Sequence, residues 1–279
     1  MPAFGLNRFT QAYAVAVNDA GTRIADKPIS CVDRLARDLF EWGGAKSLKV
    51  NFRFIYPFVG GTAISNAFNL ADPTTGQITW SEDANIIHGP TGWLADGTAG
   101  MINQADTGIT DDPVVIANYS VMYGIYCRTA NAVGGLDMVG NFSTTPNSNL
   151  IGFYCRHTDG RAYFWSGSNV TSPPSTNMAF AVTNSQGLFS ALRLTGGSHY
   201  GYRNGALLGS SAVAPGFVPT AGTAGNWMLV QSPLPRNYAF AFLTNMASTP
   251  GIGVPFTTAA QATLYSLVQA FQVRLGRSV

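Results

Sequence analysis

The sequence predicts a mainly β protein built as an antiparallel β-sandwich, on three observations. An Asn204-Gly205 pair lies between short strand-like arms, and both central residues of a tight two-residue hairpin turn need positive φ, which Asn tolerates and Gly adopts freely. Short apolar segments bounded by turn residues recur from Val50 to Leu243. The 31 glycines and 15 prolines supply the many turns that such strands require.

In chain order, Ala12-Tyr-Ala-Val-Ala-Val17 reads as a short strand before an Asn18-Asp-Ala-Gly21 turn. A helix is expected from Cys31 to Trp42, with Ser30 as N-cap, Asp33 near the first-turn amides, an apolar stripe of Val32, Leu35, Leu39 and Trp42, and a stop at Gly43-Gly44. That stripe is too small to form a core alone, so residues 1–48 are expected to be an N-terminal docking segment and residues 49–279 the sandwich domain. Val50 to Tyr56 begins with strand alternation and stops at Pro57, and Asn118 to Cys127 puts Tyr119, Val121, Tyr123, Ile125 and Cys127 on one face. Leu150 to Cys155 and Ala162 to Trp165 flank a Thr158-Asp-Gly-Arg161 turn. Leu188 to Leu194 alternates before Gly196-Gly197, and Trp227 to Val230 and Tyr238 to Leu243 read as the last strands. The chain closes with an amphipathic helix in which Thr258-Ala-Ala-Gln261 has capping-box spacing, Leu264, Leu267, Val268, Phe271 and Leu275 form the stripe, and Gly276 is placed for the C-cap.

Composition narrows the function. A length of 279 residues suits one large all-β domain plus an accessory segment. Charged residues make up 11% of the chain, against roughly 25% in typical soluble domains, which fits a surface partly covered by neighbours and a homo-oligomer. The 16 basic and 14 acidic side chains are scattered, leaving no stripe to track a nucleic-acid backbone. No apolar run reaches the roughly 20 residues that a membrane-spanning helix needs. The start Met1-Pro-Ala-Phe-Gly-Leu-Asn-Arg-Phe has no basic n-region, so folding in the cytoplasm without Sec-type export is expected. Cys31, Cys127 and Cys155 are too few for a disulfide framework and read as free buried thiols. The Asn-X-Ser/Thr triplets at Asn118, Asn141 and Asn169 carry no weight without a secretion signal.

Reactive chemistry finds little support. The only glutamates are Glu41, in the first helix, and Glu82, whose neighbour Asp83 a strand would turn to the opposite face. No Glu-X-Asp pair exists to flank a glycosidic bond. His88, His157 and His199 are the only histidines and no nucleophile elbow is present. Cys155 and His157 form the one close Cys/His pair, without a third ligand, so no metal and no cofactor is expected. Gly43-Gly-Ala-Lys-Ser47 follows its helix where a phosphate loop must precede one, and Asp111-Asp112-Pro113 reads as a turn and not as a calcium loop.

Several segments carry a family likeness: Tyr56-Pro-Phe-Val-Gly-Gly-Thr-Ala63 with Ser65-Asn66-Ala-Phe-Asn-Leu70, the stretch Gly97 to Thr107, the Tyr202-Arg-Asn-Gly205 hairpin, the Leu264 to Phe271 helix, and the lead-in helix Cys31 to Leu39. Their order resembles the concanavalin A-like (laminin-G-like) jelly-roll domains of tailed-bacteriophage virion proteins. The resemblance implies a virion structural protein assembled in the host cytoplasm and displayed on the particle, on tail or fibre or decorating the capsid. Its partners would be other phage structural proteins, and host-surface carbohydrate is a further partner in the lectin-like alternative of a glycan-binding receptor module. A polysaccharide-degrading enzyme is the less favoured alternative, and no catalytic residue is assigned. For glycan contact, aromatic faces and hydrogen-bonding groups near strand ends nominate Trp93, Tyr163, Trp165, Arg203 and Trp227.

Overall fold

The computed structural model describes residues 6–44, 48–80, 86–94, 105–111, 120–131, 137–141, 150–166, 178–194, 198–211, 225–228, 235–244 and 257–279. Helices α1 (Arg8–Asp19), α2 (Asp26–Trp42) and α3 (Leu48–Asn51) lead into β1 (Phe52–Tyr56) and α4 (Ala63–Ala67). There follow β2 (Thr79–Trp80), β3 (Ile87–Gly89), β4 (Gly92–Leu94), β5 (Ala105–Asp111), β6 (Val121–Cys127), β7 (Met138–Asn141) and β8 (Leu150–Tyr154). Then come β9 (Arg161–Ser166), β10 (Met178–Ala181), β11 (Gly187–Arg193), β12 (His199–Arg203), β13 (Ala206–Ser211), β14 (Gly225–Met228) and β15 (Asn237–Thr244), and α5 (Thr258–Arg274) closes the chain. Among these residues, one sheet runs β13-β12-β11-β6-β15-β4-β3 with β1 also paired to β15, and the other runs β10-β9-β8-β7-β14-β5-β2. The fold is the expected antiparallel β-sandwich of the jelly-roll kind, with helices at both ends of the chain.

Three layers result, and side-chain parity explains them. In β6, Val121, Tyr123, Ile125 and Cys127 face the second sheet, while Met122 and Tyr126 face the helices. Every residue of β6 and β11 is therefore buried, as in strands covered on both faces. In β15 the inward residues Tyr238 and Ala241 are an odd number apart because a bulge between Tyr238 and Phe240 resets the parity, leaving Ala239, Phe240 and Phe242 for the helix side. The Asn204-Gly205 turn is formed as expected, with φ of 52° and 75°, joining β12 to β13. The Thr158 to Arg161 turn joins β8 to β9.

Several boundaries differ from the sequence expectation. Ala12 to Val17 is helical and not a strand: the Asn7 side chain accepts from Phe9 N at 2.9 Å and Thr10 N at 3.1 Å, and Thr10, Tyr13 and Val17 form a buried stripe at helical spacing. The alanines between them suit a helix as well as an alternating strand. Helix α2 begins at Asp26, so Ser30 lies inside it and donates to Lys27 O at 2.8 Å instead of capping. Pro28 is tolerated there because a first-turn N–H has no intrahelical partner to lose. Helix α5 is capped by Thr257, one residue before the expected cap, and Gln261 turns inward, accepting from Ser190 Oγ at 2.7 Å. The described part of residues 1–48 packs on the chain's own first sheet, where Tyr13, Val17, Val32, Leu35 and Leu39 join Phe240, Phe242, Leu264 and Phe271 in one core. Tyr119, Leu229, Val230, the glycines Gly196 and Gly197, and residues 97–104 of the family-like stretch lie outside the described residues.

Candidate functional site

Column packing of aromatic rings builds the one described corner that joins a partly exposed indole to fixed polar groups. Phe54 lies 4.8 Å from Tyr56, Tyr56 stacks on Phe58 at 6.0 Å and 10°, and Phe58 meets Trp93 edge-on at 6.1 Å. Trp93 also packs on Tyr238 at 5.0 Å and carries Trp80 at 5.2 Å and 66°. Trp80 in turn meets the His88 ring at 4.6 Å and 74°. The inner rings are buried, whereas Trp80 and His88 are both partly exposed. The column thus ends in two rings at the surface.

Hydrogen bonds hold this end in place. Trp80 Nε1 donates to Ala63 O at 3.0 Å, which fixes the indole against α4. Asn66, from the same helix, places its amide nitrogen 3.1 Å from His88 Nδ1. With that nitrogen donating, Nδ1 accepts and the single proton of a neutral ring sits on Nε2. Burial pushes the His88 pKa down, so the ring is neutral at pH 7. Helix α4 is itself set by a capping box in which Thr62 Oγ1 accepts from Ser65 N while Ser65 Oγ accepts from Thr62 N, each at 3.1 Å. Just before it, Phe58 adopts φ of 46°, a left-handed conformation that a bulky residue keeps only when its surroundings impose it. Arg277 imposes it by donating to Phe58 O at 2.7 Å and Pro57 O at 3.1 Å.

The five residues nominated for glycan contact are not brought together at this corner. Trp93 is fully buried inside the column, and a ring with no exposed face has none to offer a sugar. Tyr163 is 5% exposed and belongs to a second cluster at the β8–β9 hairpin, 5.5 Å from His157 and 6.1 Å from Tyr154, with its hydroxyl donating to Asp159. Arg203 is half-buried over the Phe189 ring and spends its donors on Gln186 O at 3.1 and 3.0 Å and on Asn184 Oδ1. Trp165 lies two positions beyond Tyr163 in β9, opposite Gly152, and Trp227 lies opposite Gly140 in β14. Cys155 and His157, the pair weighed for a thiolate or metal site, are separated by function: Cys155 Sγ meets Cys127, and His157 Nδ1 lies 3.4 Å from Asp159 Oδ1. Among the described residues no group of three metal-capable side chains exists, and no helix is long and apolar enough to cross a membrane. Glu82, Asp83, Asp112, Asn118 and Asn169 lie outside the described residues.

Sequence reading missed Trp80, His88 and Asn66 as a group. The available signal was Trp80 standing next to a turn-rich stretch and His88 two residues before Pro90, but nothing in the spacing links them to Asn66, because α4 is a five-residue helix without periodicity.

No family model matches this sequence, and no curated protein matches it. Among solved structures the chain is similar to a Trypanosoma rangeli sialidase in complex with 2,3-difluorosialic acid, with TM-score 0.52 and 10% identity over 85% of this chain and 38% of that one. It is similar to the botulinum neurotoxin serotype D/C binding domain, with TM-score 0.51 and 11% identity over 80% and 53% of the two chains. The binding domain of Paraclostridial Mosquitocidal Protein 1 gives TM-score 0.51 and 9% identity over 78% and 52%. The chain thus spans about half the length of these two binding domains and less of the sialidase. Likeness at such identities is a likeness of fold, and the fold is the β-sandwich.

Proposed function

We propose that this chain is a carbohydrate-recognising β-sandwich module that acts by contact and without catalysis. The observation that carries this reading is the partly exposed Trp80 held against buried Trp93 and beside the neutral His88. Aromatic faces stack on the apolar faces of sugar rings, and a few fixed polar groups then choose among hydroxyl patterns. The shared sandwich with two toxin binding domains and a sialidase fits this reading. Three of the described acids are already engaged by neighbours and so are not free to flank a glycosidic bond: Asp137 is spent on Arg236, Asp159 on Tyr163, and Asp72 on Thr74.

A second reading places the module on a bacteriophage particle, as a tail, fibre or capsid-decorating subunit that binds neighbours and copies of itself. Its support is the segment order given above and a chain with only 11% charged residues, which suits extensive coverage by partners. The two readings are compatible, since a virion surface subunit can carry a receptor site.

A glycan array probed with the purified chain and with Trp80→Ala tests the first reading. Saturable signal that is lost in the variant, with no reducing sugar released on incubation, is expected. Turnover of a polysaccharide would replace the reading with an enzymatic one.

A further inference from the structure

We propose that the Trp80 corner takes an uncharged pyranose, one ring stacked on the exposed part of the Trp80 indole and one sugar oxygen accepting from His88 Nε2; this rests on the recognition reading above. The platform is prebuilt. Its indole is pinned by the bond to Ala63 O and by the edge-on Trp93, so stacking freezes little further side-chain motion. The polar partner is equally fixed, because Asn66 occupies His88 Nδ1 and leaves one N–H for the ligand.

Charge decides the ligand class. The segments that form the corner, residues 58–68, 78–80 and 86–94, contain no Lys, Arg, Asp or Glu. Burial keeps His88 uncharged at neutral pH, and Arg277, which bonds to Phe58 O, is 1% exposed, so the described residues of the corner present no accessible cation to a ligand. A carboxylated sugar such as a sialic acid or a uronate would lose water around its charge and find no ion partner in return. Apolar surface continues on the same elements, with Ile64 of α4 42% exposed and Ile87 of β3 59% exposed. A ring bearing only hydroxyl or acetamido groups fits such surroundings.

Calorimetric titration of the full chain with maltotriose, cellotriose, chitotriose, sialyllactose and trigalacturonate tests this, alongside Trp80→Ala, Trp80→Phe, His88→Ala and His88→Gln. At least one neutral trisaccharide is expected to bind more tightly than both acidic ones. Trp80→Ala should weaken it by about tenfold or more, the scale of a truncated aromatic anchor, with Trp80→Phe recovering part of the loss. His88→Gln, which keeps a neutral N–H donor, should bind better than His88→Ala. Near-ultraviolet circular dichroism checks that each variant is folded. Tighter binding of an acidic sugar that still depends on Trp80 would overturn the uncharged-ligand inference and leave the recognition reading standing. Neutral binding unchanged in Trp80→Ala would overturn the assignment to this corner. Failure of every probe at millimolar concentration would overturn both.

Discussion

Asp137 and Arg236 form an ion pair with no exposed surface on either side chain, joining the start of β7 in one sheet to the approach of β15 in the other. Both partners are otherwise satisfied. Asp137 accepts from Tyr238 Oη at 2.5 Å and Cys155 N at 2.6 Å, and Arg236 donates to Asn131 Oδ1, Asn131 O and Arg156 O at 3.0, 3.2 and 2.7 Å. Burial alone would lower the Arg236 pKa, but the Asp137 charge outweighs it and raises it. Breaking such a pair leaves an uncompensated buried charge. Asp137→Asn is therefore expected to destabilise the fold by about 3–5 kcal/mol in urea unfolding. A loss under about 1 kcal/mol, the range of a surface pair, would show that water reaches the pair.

The three thiols, two of them beside this pair, give a chemical readout. Cys31, Cys127 and Cys155 are free, and their exposures are 7%, 0% and 0%. Burial pushes the Cys155 thiol up; at Cys127 burial acts the same way but the hydrogen bond from Cys155 and the Arg236 charge outweigh it. With access closed, a thiol-specific reagent should titrate almost none of the three in the folded chain and all three in denaturant. Rapid labelling of Cys127 in native buffer would mean that this end of the sandwich opens.

Stability should fall on mild acidification because of histidine. His199 is 2% exposed, and burial first, then the nearby Arg193, lower its pKa to about 3. The unfolded chain takes up that proton near pH 6.5. Between those values the unfolded state binds more protons, so stability declines as pH falls from about 6.5 toward 3, by about 1.4 kcal/mol per pH unit for one group. His88, also lowered by burial, adds in the same direction. Between pH 6.5 and about 4.5, where carboxylates contribute little, His199→Gln should flatten the dependence. An unchanged slope in that variant would locate the proton uptake elsewhere.

Removing residues 1–48 should unfold or aggregate the remainder. The deletion strips Tyr13, Val17, Val32, Leu35 and Leu39 from the first sheet and bares Phe240 and Phe242, an apolar patch that a soluble monomer does not tolerate. Size-exclusion chromatography and a thermal melt read the outcome. A monomer melting near the full-length temperature would make this segment a separable docking unit.

At the hairpin tip, Gly205 has φ of 75° and a Cβ there would stand 2.8 Å from Ala262 Cα on α5. Gly205→Ala combines a disfavoured backbone with a contact against main-chain-fixed atoms, and a destabilisation of about 1–3 kcal/mol is expected. An unchanged melt would mean that α5 does not pack on this turn.

What was legible in the sequence follows the physics of each signal. Hairpins at Asn204-Gly205 and Asp159-Gly160 carry local turn chemistry, and β6, β11 and β15 carry dense apolar runs, so their placement could be read directly. Ala12 to Val17 satisfied two periods at once, and only the Asn7 cap and the packing of Tyr13 decided for a helix. Trp93 is nominated as a contact because its aromatic face lies near a strand end, but its column of partners is assembled from β1, β4 and β15, far apart in sequence. The Trp80 corner was illegible for a related reason: β2 belongs to one sheet and β3 to the other, and no local periodicity signals that α4 brings Asn66 to them.

Side-chain indole resonances in a two-dimensional NMR spectrum test the glycan corner most directly, since the chain has five tryptophans, Trp42, Trp80, Trp93, Trp165 and Trp227. On titration with a binding neutral oligosaccharide, the Trp80 signal, assigned through Trp80→Phe, should shift first and furthest. A spectrum in which Trp165 or Trp227 moves while Trp80 stays still would put the ligand at β9 or β14 and away from the β2 corner, and one in which no indole moves would remove the aromatic platform altogether.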